Sequence, residues 1–153
     1  MEKTQIKTGG VTELLLDRLF KAPDLKTYMR DNAGLMEVPP FYLLIAELCK
    51  KAGISKAVVI EKANIPRNYG YQIFNGIRNP SRDKVIQLAF GFGMDVENAQ
   101  ELLKAAREAP LYARIPRESV ILRCLYEQKD VIFADDALAA MGLTPLGRED
   151  KNE

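Results

Sequence analysis

Apolar residues recur at three- and four-residue spacings along almost the whole chain, and alternation of period two is nowhere sustained. That rhythm confines the fold to packed helices, because a strand must carry its apolar residues two apart to bury one face. The clearest case is Phe41, Leu44, Ile45, Leu48 and Cys49, one helical face that Gly53 brings to an end. Ser55 then stands as the N-cap of KAVVIEKAN, a short helix that stops before Pro66. A brief third helix is predicted from Arg67 to Asn75, with Gly76 just past its end. Ser81 caps a fourth, whose face is Val85, Leu88, Ala89 and Phe92, and Asp95 opens a fifth carrying Ala99, Leu102, Leu103 and Ala106.

The flanks read the same way. Val11, Leu15 and Leu19 share a face, and Asp24 caps a short helix presenting Leu25, Tyr28 and Met29 that frays near Asn32 and Gly34. Further on, Pro116 to Glu127 carries Val120, Ile121 and Cys124, and a last helix is expected from Asp135 to Met141, ended by Gly142. No repeat or low-complexity segment interrupts the pattern, and disorder is expected in the first ten residues and in the closing GREDKNE. The expected organisation is an N-terminal helical arm over 1–40, a five-helix domain over 41–106, a C-terminal helical extension over 107–146 and a tail over 147–153.

Composition narrows the function classes. The chain has no histidine, which removes Ser-His-Asp and Cys-His chemistry and the commonest transition-metal ligand. The expectation is a protein that is not an enzyme and needs no cofactor or metal. No apolar run approaches the roughly 20 residues of a membrane span, and MEKTQIKTGG lacks the apolar core of an export signal. Cys49 and Cys124 fall on apolar faces, which assigns them to the core and, with no export signal, to a reducing cytoplasmic setting. The net charge of +1 hides an asymmetry. Residues 41–93 hold 8 basic and 3 acidic side chains, whereas 94–153 hold 8 basic and 12 acidic. A basic middle inside a neutral chain suggests an anionic partner for that segment.

The second and third central helices are joined by the tight NIP connection, and two short helices so linked can lay the second in the DNA major groove. From Gly53-Ile54-Ser55 through Asn75-Gly76, Arg78-Asn79-Pro80-Ser81 and Leu88-Ala89-Phe90, the chain resembles the Cro/C1-type helix-turn-helix (XRE-like) family of small bacterial regulators. The likeness covers about two fifths of the chain, and Leu111-Tyr112 with the closing GLTPL fits the extended layout of some relatives. It implies an all-α, five-helix lambda-repressor-like domain with extra N- and C-terminal helices, and transcriptional regulation by binding double-stranded DNA. The chain departs from the family pattern at Lys56, where Gln is common, at Val59, where a small residue is usual, and at Gly70 and Phe74, where an aliphatic residue and Glu are common.

On that reading Arg67, Asn68, Tyr71, Gln72 and Asn75 line the exposed face of the third helix and contact bases, with Gln and Asn suited to the N6/N7 edge of adenine. Lys56, Arg78, Arg82 and Lys84 approach phosphates from the flanking turns. The plainer alternative is that Tyr69 and Tyr71 cover the domain's own core, that Asn75 only ends a helix, and that Pro80 and Ser81 shape a turn. A third reading keeps the scaffold but makes it a protein-interaction module anchored by Tyr69, Tyr71 and Phe74. Leu122 and Leu125 are expected to be exposed and available to a homodimer interface. Asp135-Asp136 reads as a first-turn acidic pair that favours the helix dipole rather than catalysis. The FGFG stretch at 90–93 lacks the third glycine and the preceding strand of a nucleotide fingerprint.

Overall fold

A computed structural model of the chain describes residues 9–147, with the side chains of residues 9–11 left undescribed. Those residues form ten helices and no strand. An arm comes first: α1 (Gly9–Lys21), α2 (Leu25–Asp31) and the single turn α3 (Ala33–Met36). Five helices follow as α4 (Phe41–Ala52), α5 (Lys56–Lys62), α6 (Arg67–Phe74), α7 (Arg82–Gly91) and α8 (Val96–Ala105). The chain closes with α9 (Pro116–Tyr126) and α10 (Val131–Ala140). No helix among the described residues is long and apolar enough to cross a membrane.

The caps explain most of these boundaries. A carboxylate or hydroxyl oxygen one residue ahead of a helix accepts from an amide that has no partner within the helix. Asp24 accepts from Thr27 N, Ser55 from Val58 N, Ser81 from Lys84 N and Asp95 from Asn98 N. The last helix departs from expectation. Its cap is Asp130, which accepts from Phe133 N, so α10 begins at Val131 and Asp135 sits one turn further in. The carboxylate of Asp135 is no first-turn charge: it accepts from Leu146 N at 2.6 Å and Gly147 N at 3.0 Å and ties down the following chain. The chain near Asn32 does not fray, because Asn32 is buried, with Nδ2 donating to Tyr28 O and Oδ1 accepting from Arg18, while α3 continues beyond it. The disorder expected at both ends lies outside the described residues, except that Gly9 and Gly10 open α1 and Gly147 is held by Asp135.

Helix α7 is the hub. Every residue from Lys84 to Gly91 is buried, and the helix packs against α5, α8 and α10. Gly91 permits close backbone packing on α5, since a Cβ there would lie 2.5 Å from Val59 O. A single apolar core runs from Ile45 of α4 through Ile86, Leu88 and Leu102 to Ile121, Leu125, Leu138 and Leu146, so α9 and α10 share the core of the central helices. Leu125, expected on the surface, is 1% exposed, and Leu122 packs partly buried against the same core. Cys49 and Cys124 are buried within it, and burial pushes both thiols up from their ordinary value. The arm differs: Phe20, Leu25, Met29 and Val38 all remain exposed on it.

Candidate nucleic-acid interface

Helix α6 has two unlike sides. Ile73 and Phe74 are buried to 1% and 2% exposure and fix it to the core. Gly70 lets it lie directly on α5, because a Cβ there would fall 2.5 Å from Ile60 Cγ2. Glycine costs about 1 kcal/mol relative to alanine within a helix, and the contact with Ile60 is what that cost permits. On the other side Arg67, Asn68 and Asn75 are exposed, while Tyr71 and Gln72 are half-buried. The five residues expected at the bases therefore avoid the buried side formed by Gly70, Ile73 and Phe74.

Cations lie over the aromatic rings around this helix. The Arg67 guanidinium is 5.9 Å from the Tyr71 ring centre, Arg78 is 4.7 Å from Tyr69, and Lys56 Nζ is 5.7 Å from Phe74. Such stacking holds a guanidinium in place while leaving its edge N–H groups able to donate. Arg78 also donates from Nε to Gln72 Oε1 at 3.1 Å, linking the turn after α6 to the helix itself.

Two of the expected phosphate contacts prove to be internal. Arg82 donates from Nη1 and Nη2 to the two carboxylate oxygens of Glu118, at 3.0 and 2.9 Å, and from Nε and Nη2 to Ala109 O and Pro110 O. Each nitrogen of its guanidinium thus donates within the protein, and the side chain joins α7 to α9. Glu118 is 7% exposed and also accepts from Tyr112 N. The hydrogen bond from Arg82 is the chief reason its carboxyl is held below the usual glutamate value, against the opposing effect of burial. Lys84 is 4% exposed, with Nζ donating to Gln87 Oε1 at 3.3 Å and lying 5.5 Å from the Tyr69 ring centre. Neither side chain is free for a phosphate. Phe74, expected as an exposed anchor for a protein partner, belongs to the core instead, and Tyr69 is half-buried beneath Arg78 and Lys84.

The residues that position the interface were not among those expected. Gln87 is fully buried, and its Nε2 donates to Ala63 O at 3.0 Å and Asn64 O at 3.2 Å. It therefore holds the turn between α5 and α6, where Asn64 has φ 56°. With Lys84 donating to Gln87, a buried polar relay runs from α7 to that turn. The available signal was the Gln-87 position itself, a polar residue in a run of apolar ones, where a buried amide must find partners. A second seam joins Asp83 to Arg117 through paired bonds at 3.0 and 2.9 Å.

No family model, curated protein or solved structure matches the chain.

Proposed function

We propose that this chain is a DNA-binding transcriptional regulator, with α4–α8 forming a five-helix lambda-repressor-like helix-turn-helix domain and α6 entering the major groove. The observation that carries the reading is the exposed polar side of α6, flanked by Lys56, Arg67 and Arg78 and supported by a core-facing side that Gly70 seats against α5. Asn68, Tyr71, Gln72 and Asn75, with Arg67, face bases, while Lys56 and Arg78 approach phosphates. The function assigned is binding rather than catalysis, in the cytoplasm.

Salt dependence tests it. If Lys56 and Arg78 each neutralise a phosphate, the log–log slope of affinity against salt is about −1.8, or a roughly 12-fold loss between about 50 and 200 mM. Lys56→Ala should flatten that slope by about 1. Arg82→Ala should leave the slope unchanged in the folded fraction. Absence of duplex binding at about 50 mM salt refutes the reading.

Recognition of paired half-sites by this geometry calls for two copies. The homodimer surface is proposed on the arm, where Phe20 is 78% and Leu25 61% exposed, and not at Leu122 and Leu125. Light scattering should give a dimer mass for the wild type and a monomer mass for Phe20→Ser/Leu25→Ser. A wild-type monomer at micromolar concentration removes this element of the proposal.

A further inference from the structure

We propose that Asn75-Gly76 is a self-modifying site: the Gly76 amide nitrogen attacks the Asn75 side chain, and the acid produced ends duplex binding by α6. The chemistry of the site stands on its own, whereas its effect on binding rests on the DNA-binding reading. Asn75 is the only asparagine in the chain that glycine follows. Glycine sets no side chain beside its own nitrogen and lets the backbone turn freely, so this dipeptide cyclises most readily. The fold cannot exchange that glycine, because Gly76 has φ 75° and a Cβ there would lie 2.8 Å from the Tyr42 ring. Asn75 and Gly76 are both exposed, and the Asn75 side chain makes no hydrogen bond among the described residues. Gly76 N donates to Ile73 O at 3.2 Å and Ile77 N to Gln72 O at 3.0 Å, the paired bonds of a glycine-ended helix. The attack needs the first of these bonds to open. Such an end is commonly sealed by an apolar contact from the residue after the glycine. Ile77 holds that place and is 75% exposed, so the seal is slight.

The bonds balance with water as the co-reactant. The Gly76 nitrogen loses its proton to solvent base and bonds to Asn75 Cγ. The Cγ–Nδ2 bond breaks, and Nδ2 leaves as ammonia with a proton from solvent. Water then opens the cyclic imide. Opening at Cγ gives aspartate, and opening at the backbone carbonyl gives isoaspartate, whose main chain is longer by a methylene. Either product adds a negative charge at the exposed end of α6, beside the positions proposed to meet a polyanion, and like charge opposes that approach. Isoaspartate also displaces the chain that follows, including Arg78.

The test incubates the full-length protein in mildly alkaline buffer and follows each asparagine by peptide mass spectrometry. Acid, largely isoaspartate, should accumulate at Asn75 ahead of every other asparagine. An Asn75 that reacts no faster than the others overturns the site. With random-sequence duplex at about ten times its Kd, the reaction should slow roughly tenfold, because the complex covers the end of α6. Asn75→Asp, which carries the charge without the longer backbone, should bind that duplex roughly tenfold more weakly than wild type at low salt. The incubated protein should weaken in step with its content of acid at position 75. Unchanged affinity in both, or no protection by bound duplex, overturns the effect on binding and leaves the DNA reading intact. A wild type that retains no duplex at about 50 mM salt overturns the DNA reading and the effect on binding with it, while the mass spectra still decide the site.

Discussion

Arg78 and Arg82 stand four residues apart, separated by a turn that Pro80 and Ser81 shape, and they have opposite employment. Arg78 stacks on Tyr69 and reaches Gln72, and no carboxylate among the described residues pairs with it. Arg82 is closed in by Glu118, Ala109 and Pro110. Basic residues of one local segment thus divide between a surface that can meet an anion and a seam that binds helices together. A local count of positive charge adds the two kinds as if they were one. Of the four cations expected at phosphates, only Lys56 and Arg78 remain accessible for that role, since Lys84 is as buried as the apolar residues around it. What separates the groups is the presence of an acidic or amide partner brought in from a distant part of the chain, and such partners are fixed only by the tertiary fold.

The largest effect that tests this contrast is on the seam side. Glu118→Ala should lower stability by about 3 kcal/mol, the low end for removing one partner of a buried ion pair, because it strands the Arg82 guanidinium and the Tyr112 amide together. The measurement is chemical denaturation at neutral pH. The same pair sets a pH dependence. The folded-state carboxyl of Glu118 titrates below its unfolded value, so its contribution is complete above the unfolded value of about 4.3 and disappears as pH falls through the folded one. The stability difference between wild type and Glu118→Gln should accordingly shrink on acidification in that window. A difference of less than about 1 kcal/mol at neutral pH would place Arg82 back among ordinary surface cations and erase the distinction from Arg78.

How much of this was legible in the sequence depends on whether the signal was local. The boundaries at Ser55, Ser81, Asp24 and Asp95 were, because an N-cap satisfies amides within its own first turn. The exposure of Arg67, Asn68 and Asn75 on α6 was also legible, whereas Tyr71 and Gln72, expected on the same face, are half-buried. The start of α10 carries the same kind of signal, Asp130 followed by Val131, Ala134 and Leu138, one turn ahead of the adjacent acids Asp135 and Asp136 that offer a competing start. Other features had no local signature. Helix α7 is covered on all sides, so its periodicity cannot show which residues face water, and Lys84, expected at a phosphate, is buried in it. Leu125 likewise reads as exposed until α10 is placed beside α9. The second seam, Asp83 with Arg117, spans 34 positions and is invisible to any window. Gly70 stands in the sequence only as a departure from the family pattern, because the Ile60 side chain it accommodates belongs to another element.

The smallest expected effect lies on the other side of the comparison. Arg67→Ala removes an exposed guanidinium whose only contact described is the Tyr71 ring at 5.9 Å, so stability should fall by no more than about 0.5–1 kcal/mol, the range for an exposed cation–π pair. Its thermal midpoint should move by a few degrees at most, given the roughly 2–4 °C per kcal/mol expected for a domain of about 150 residues. Binding to duplex DNA at low salt should nonetheless weaken measurably, either uniformly or at one base, according to whether Arg67 meets a phosphate or a base edge. A large loss of stability would mean that Arg67, like Arg82, is spent on the fold, and the accessible cations beside α6 would reduce to Lys56 and Arg78. A small loss of stability together with weaker binding is the signature of a side chain that the fold positions but does not need. Such a side chain is disposable to folding because its partner lies outside the chain, and that asymmetry is what separates an interface from a seam when the residue types are the same.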